Sequence, residues 1–328
     1  MSFRPKGVFL DRREKISSAN ETRFLANARN DEKSTKKPPL LWRGRGERSN
    51  SDCGRLLSVV EVQAAMTFFL CIIRKFCVNL RSIIIINSEK MRASIQKFIS
   101  EKNYPTFDLK AVFFDMDGIL FDSMPYHAKA WQQAMNEFGL DFSLYDAYMN
   151  EGRTGNSTID EAFLLKYGKT ADEQTKQKIY QRKADLFNSY NVTPTQIPDV
   201  YELLKILKIR GLQIFVVTGS AQVSLLDMLD KSFPNIFEQG KTVTAFDCKI
   251  GKPDAEPYLI ALSKAKVEKW QALVVENAPL GVRSAVSAGL FTIGVNTGII
   301  KEEELEKEGA NIILPNMRTL IELIVSSL

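Results

Sequence analysis

Histidine, cysteine and long apolar runs are all scarce in this chain, and each scarcity removes a class of function. His127 is the only histidine in 328 residues. Of the cysteines, Cys53, Cys71 and Cys77 lie in the first 90 residues and Cys248 alone lies beyond them. No disulfide framework and no Cys/His metal spacing can be drawn in residues 91–328, and a reducing, cytoplasmic setting fits. The apolar stretch 56–86 is broken by Glu61, Arg74, Lys75 and Arg81, so its uncharged run, Val62 to Ile73, has 12 residues. That is short of the roughly 20 needed to span a bilayer. It also stands too far from the amino terminus to be a conventional signal peptide. A stable membrane association is not expected.

Excess positive charge is likewise missing from most of the chain. Residues 1–90 carry 18 Lys+Arg against 9 Asp+Glu, whereas residues 91–328 carry 26 against 30. The net +5 therefore belongs to the leader, and nucleic-acid binding is not expected of the remainder. Residues 1–55, rich in Arg, Lys, Asn and Ser and without periodicity, read as disordered. The whole of 1–90 resembles a translated intergenic sequence, so the start is expected at Met91.

Sustained patterning begins there. Residues 91–100 read as a short amphipathic helix, and Ala111 to Phe114 as a strand buried on both faces. That strand stops at Asp115-Met116-Asp117-Gly118. At strand spacing the two carboxylates project together from the carboxyl end, where open α/β sheets place ligands. Close carboxylates repel, and a divalent cation between them or a retained proton relieves the repulsion. A solvated Asp-x-Asp turn is the plainer alternative.

Residues 124–193 read as a helical insertion, with helices at about 124–138, 143–150, 157–167 and 171–190. It separates a first core segment, 91–123, from a second, 194–328. In the second, strands are expected at 213–217, 242–246, 272–275, 291–295 and 311–314, alternating with helices near 199–209, 221–231, 281–288 and 317–327 and one starting near Ala255. Alternation of this kind predicts an α/β fold with a doubly wound parallel, Rossmann-like sheet. The strongest strands end in polar residues: Asp115 and Asp117, then Thr218-Gly219-Ser220, then Glu276-Asn277, with Lys252 in a loop before a helix. Acidic and amide oxygens suit Mg²⁺. The Thr218 hydroxyl, backbone N–H groups and the Lys252 ammonium suit an anion, and the combination suits phosphoryl transfer. Each fragment by itself is also an ordinary turn, cap or helix entry.

In their order, these four fragments resemble the motifs of the haloacid dehalogenase superfamily over residues 110–328. The resemblance implies that Asp115 is a nucleophile forming an aspartyl-phosphate and Asp117 a general acid/base. It implies that Thr218, Gly219, Ser220 and Lys252 bind phosphate, and that Asp115, Asp117 (through its carbonyl), Glu276 and Asn277 serve Mg²⁺. Asn277 stands where the family often has Asp, one negative charge fewer. The inserted helices resemble the cap of the branch holding β-phosphoglucomutases and small-molecule phosphatases. His127 matches a histidine that mutases of the branch carry near the hinge; a packing histidine is the alternative. Mutases of the branch present a Ser-Arg pair to a distal phosphate, whereas the loop here reads Glu151-Gly152-Arg153-Thr154-Gly155 and its arginine is displaced. With Asp122 to His127 and Glu276 to Gly281, this text looks closer to bacterial members that hydrolyse inorganic pyrophosphate. The expected protein is a monomeric, cytoplasmic Mg²⁺-dependent phosphohydrolase acting on a small phosphorylated metabolite or pyrophosphate. His127, Glu151, Arg153 and Thr154 are its expected specificity residues, and β-phosphoglucomutase is the alternative activity.

Overall fold

The computed structural model describes residue 86 and residues 88–220 and 223–327. The reading of residues 1–90 therefore lies outside the described residues except at 86 and 88–90. A first helix, α1, covers 88–102, three residues longer at its start than its apolar pattern suggested. Its Met91 and Phe98 are buried in the main core, with the Phe98 ring edge-on to Phe291 at 5.3 Å.

Six parallel strands follow: β1 (Ala111–Phe114), β2 (Gln213–Val217), β3 (Thr242–Val243), β4 (Ala272–Glu276), β5 (Phe291–Val295) and β6 (Ile312–Leu314). Their order in the sheet is β3-β2-β1-β4-β5-β6, so β1 is central and the winding reverses on either side of it. Alternation along each strand divides two cores. Val112, Phe114, Ile214, Val216, Leu273 and Val275 face one layer of helices, while Ala111, Phe113, Phe215, Val217, Ala272 and Val274 face the other. Burial on both faces explains why the strands read as continuous apolar runs. Phe114 aligns with Val216 on one side and Val275 on the other, which brings the carboxyl ends of β1, β2 and β4 level.

Between β1 and the second half of the sheet lie α2 (Met124–Glu137), α3 (Leu144–Met149), α4 (Gly155–Tyr167) and α5 (Glu173–Ser189). Each of the last three starts on a side-chain cap: Ser143 with a capping box to Asp146, Thr154 to the Ser157 N–H, and Asp172 to the Thr175 N–H. Gly168 ends α4 at φ +69°, a left-handed position that suits glycine. Met135, Leu140, Phe142, Ile159 and Ile179 belong to a third apolar cluster, drawn from these helices and their connections and joined by Ile300 from beyond β5. Full burial of such side chains contributes about 1.5–3 kcal/mol each, so these helices have an independent reason to stay together. The chain leaves and re-enters the sheet side by side, the Asp122 N–H donating to Thr195 O (2.8 Å) and the Ile197 N–H to Leu120 O (3.0 Å).

The remaining helices are α6 (Val200–Ile209), α7 (Val223–Ser232), α8 (Glu256–Ala265), α9 (Pro279–Ser287), α10 (Glu302–Lys307) and α11 (Met317–Ser327). Two elements differ from expectation. The strand expected over 242–246 stops at Val243, because the Thr244 N–H and hydroxyl both donate to Asp247 Oδ2 (2.8 and 3.0 Å) and turn the chain, leaving Phe246 exposed. Helix α10 had no apolar periodicity to announce it, since Leu305 is its one buried residue.

Candidate active site

Asp115 is the first residue past β1, and its N–H donates to Val275 O (3.1 Å), which holds it against β4. Lys252 arrives from the loop before α8 and is 1 % exposed. Its ammonium donates to Asp115 Oδ1 (2.6 Å), Glu276 Oε1 (2.6 Å) and Val217 O (2.9 Å), so all three of its protons are engaged. Burial works against the charge, but the two carboxylates outweigh it and Lys252 holds its proton more firmly than a free lysine.

Glu276, at the end of β4, is saturated. Its Oε1 also accepts from the Tyr258 hydroxyl (2.8 Å), and its Oε2 accepts from the N–H groups of Asn277 (3.1 Å) and Ala278 (3.4 Å). A Cβ at Gly281 would fall on this carboxylate, so α9 approaches it only as glycine. Glu276 is thus the counter-ion that aims Lys252, and it has little left for a metal.

Asp117 points elsewhere. Its Oδ1 accepts from Ser123 Oγ (2.5 Å) and lies 3.4 Å from His127 Nε2. Burial raises its pKa, yet the His127 ring and the Ser123 hydroxyl prevail and hold the carboxyl below its ordinary range. His127 stacks on Phe187 (centroids 4.2 Å apart, 18° between planes) and its Nδ1 lies 2.9 Å from Lys183 Nζ. Burial and the Lys183 charge lower the His127 pKa against the pull of Asp117. Lys183 itself, buried on α5 beneath Trp131, is brought down to about 8 by burial. The structure thereby gives His127 a polar chain, Asp117–His127–Lys183, rather than packing alone.

The loop after α3 closes over these groups. Glu151 is buried, and its Oε1 accepts from Asn277 Nδ2 (2.9 Å). Burial and the neighbouring Asp115 hold its carboxyl well above the ordinary range, with the Asn277 amide opposing and Glu276 and Asp117 adding to the rise. Burial likewise holds Asp115 well above its usual range, against the pull of Lys252. Arg153 also lines the cleft, its guanidinium donating to Ser157 Oγ (3.1 Å) and pairing with Glu161 (3.6 Å). Thr154 caps α4. At the end of β2, Thr218 Oγ1 accepts from the Ser220 N–H (3.0 Å), shaping the Thr218-Gly219-Ser220 turn. The cleft enclosed has about 70 Å³ of room, lined by Asp115, Asp117, His127, Glu151, Lys183 and Thr218 among others.

Besides the nitrogens His127 Nε2 and Arg153 Nε, two oxygens of the site are buried without a hydrogen-bond partner, Glu151 Oε2 and Asn277 Oδ1. Both are oxygen acceptors, and a buried acceptor left unpaired costs about 1–3 kcal/mol. Four carboxylates, the buried Asp115, Glu151 and Glu276 and the half-buried Asp117, also outnumber the two ammonium groups among them, Lys183 and Lys252. Hard orphan acceptors and a deficit of positive charge fit a divalent cation such as Mg²⁺. Among the described residues, no three His, Cys, Asp or Glu side chains converge on one point. The candidate donors are therefore mixed: Asp115 and Glu151 with the Asn277 amide oxygen. Sequence reasoning passed over Lys183, Tyr258 and Ser123. Lys183 had a readable signal, standing four residues from Ile179 and three from Leu186 on one helical face.

These side chains gather at level strand ends beside the point where the winding reverses, and the class they define is an enzyme on a doubly wound α/β core. The chain belongs to the haloacid dehalogenase-like hydrolase family, which it matches over residues 112–295. It is 28% identical over 189 residues to a phosphorylated carbohydrates phosphatase of Thermotoga maritima, covering 56% of this chain and 84% of that one. To the β-phosphoglucomutase of Bacillus subtilis it is 27% identical over 205 residues, covering 58% and 84%. A solved structure of a candidate β-phosphoglucomutase from Bacteroides vulgatus matches with a TM-score of 0.70 at 44% identity, covering 73% of this chain and 98% of that one. The protein is an enzyme of the β-phosphoglucomutase-like branch, whose members include phosphatases and phosphomutases.

Proposed function

We propose that the protein is a Mg²⁺-dependent phosphohydrolase that works through an aspartyl-phosphate on Asp115, with inorganic pyrophosphate as its substrate. The single observation that carries the reading is Glu151, a buried carboxylate reaching 2.9 Å from Asn277 over a cleft of about 70 Å³. The loop brings the acid to the phosphoryl centre, while its arginine, Arg153, is engaged by Ser157 and Glu161 and is not held free as a clamp for a distant sugar phosphate. In this reading residues 124–193 are the cap, lowered onto the core segments 91–123 and 194–328.

Asp115 Oδ attacks phosphorus while the bond to the leaving oxygen breaks, and Lys252, Thr218 and the N–H groups of the 218–220 turn hold the charge spread over the transferred oxygens. When bound, Mg²⁺ supplies further positive charge at those oxygens and at Asp115. Water then attacks the acyl-phosphate; Asp117 takes its proton, and Asp115 is released as a carboxylate with free phosphate. Asp117, held ionised by Ser123 and His127, is set for that second step. Its weakness as an acid in the first step favours a leaving group that is itself a weak base. Phosphate is such a group and a sugar alkoxide is not.

A phosphate-release screen with Mg²⁺ over pyrophosphate, hexose phosphates and nucleoside monophosphates tests this. Pyrophosphate should lead by at least about tenfold in kcat/KM, a margin expected when a buried polar group is matched by one substrate and left unpaired by another. Turnover of hexose phosphates at equal or higher kcat/KM would refute it. A second reading, β-phosphoglucomutase, is favoured by the similarity to the Bacteroides vulgatus structure and by the Asp117–His127–Lys183 chain. It requires isomerisation of β-glucose 1-phosphate to glucose 6-phosphate with a bisphosphate activator, without net phosphate release.

A further inference from the structure

Two glycines on different sheet loops receive the loop that carries Glu151. Gly219 follows β2, and a Cβ built on it would fall on the carbonyl oxygen of Gly152 and stand 3.4 Å from that of Arg153. Gly251 precedes Lys252, and a Cβ there would meet Thr154 Cγ2 at 2.6 Å. Neither glycine has a left-handed φ, so alanine fits both backbones and only the arriving loop forbids a methyl group. Gly152 completes the contact at φ +88°, where a Cβ would stand 3.1 Å from Lys252 Cδ. Loop 152–154 therefore rests on the core at two points from which a side chain is missing.

We propose that Gly219 and Gly251 are specificity-determining residues: together they form the seat that sets how far loop 151–154 descends, and so how large a substrate the cleft admits. This rests on the phosphohydrolase reading for its choice of substrates but on the geometry alone for the seat. A methyl group at either position lifts the loop, withdraws Glu151 from Asn277 and opens the cleft toward larger phosphate esters. The same lift slows turnover of a substrate small enough to need closure, since misplacement by an ångström costs up to about a hundredfold.

The test is the pair Gly251→Ala and Thr154→Ser. Serine keeps the hydroxyl that caps α4 and lacks the Cγ2 methyl that a Cβ at 251 would strike. In the full-length protein, Gly251→Ala should shift the ratio of kcat/KM for pyrophosphate to that for a hexose phosphate about tenfold toward the hexose phosphate. The double variant should return to the ratio of Thr154→Ser alone. Hydrogen exchange of the 150–157 segment should quicken in Gly251→Ala and recover in the double variant, a readout that needs no activity. If Gly251→Ala fails to fold while the double variant folds, the methyl clash is demonstrated directly. Exchange and ratio unchanged in Gly251→Ala would overturn the proposal, as would changes that Thr154→Ser does not reverse or failure of both variants to fold. Absence of pyrophosphate turnover by the wild type with the exchange pattern intact would remove the substrate reading and leave the seat standing.

Discussion

Replacing Lys183 by methionine should raise stability at neutral pH, and the gain should fade in alkali. Lys183 is almost wholly buried, and its pKa falls from 10.5 to about 8. Each pKa unit corresponds to about 1.4 kcal/mol, so the charged form costs the folded state roughly 3 kcal/mol. Below about pH 8 folded and unfolded chains both bind the proton, and the cost is present in full. Between about 8 and 10.5 only the unfolded chain binds it, so the wild type gains stability as pH rises. Methionine removes the cost but also the hydrogen bond to His127 Nδ1, about 1 kcal/mol, leaving a net gain near 2 kcal/mol at pH 7. Urea unfolding of both proteins from pH 7 to 10.5 measures this, because titrating groups that Lys183 does not touch cancel in the difference. The gap between variant and wild type should shrink by roughly 3 kcal/mol across that range. A gap that stays constant with pH would refute the assignment of the cost to this ammonium. Activity should fall in the same variant, since Lys183 lines the cleft.

Other outcomes follow from the same geometry. Tyr258→Phe removes one donor from Glu276 Oε1, loosens the aim of Lys252 and should cost about 1.5–3 kcal/mol in unfolding free energy, with a lower kcat in steady-state assays. Glu151→Gln should weaken Mg²⁺ binding by at least about tenfold, read by isothermal titration calorimetry, and lower pyrophosphate turnover with it. Gly118→Ala places a Cβ on Asn277 Nδ2 at φ +78°, so a loss of about 1–3 kcal/mol by chemical denaturation and displacement of the amide in a crystal structure are expected. Asp115→Asn should fold normally and release no phosphate from any substrate; residual activity would mean that another group is the nucleophile.

The strand ends were readable because apolar runs buried on both faces stop abruptly at polar residues, and that discontinuity survives without any knowledge of pairing. Asp115, Thr218 and Glu276 were found in this way. Tyr258 was not, because in Glu256 to Ala265 it looks like one more apolar contact, and only the packing of α8 turns its hydroxyl toward Glu276. Lys183 was hidden by its company: Gln181, Arg182 and Asp185 make the segment look solvated, although Ile179 and Leu186 share its face. Arg153 was legible as a residue of the cleft, whose lining it joins, but not its partners, since only the start of α4 brings Ser157 and Glu161 to its guanidinium. The strand expected at 242–246 keeps only Thr242 and Val243, because a side-chain turn at Thr244 competes with the ladder in a way that β-propensity does not register.

The contact between Lys252 and Asp115 spans 137 residues of chain, and the lysine is fixed in turn by Glu276, a further 24 residues on. During synthesis Asp115 leaves the ribosome long before the partners that give it a counter-charge. A growing chain thus carries Asp115 with neither its lysine nor the strand end that steadies the lysine. Catalytic competence can appear only once β4 has been made and docked, so phosphate release from nascent or truncated chains should be absent, and its onset would time the completion of the sheet.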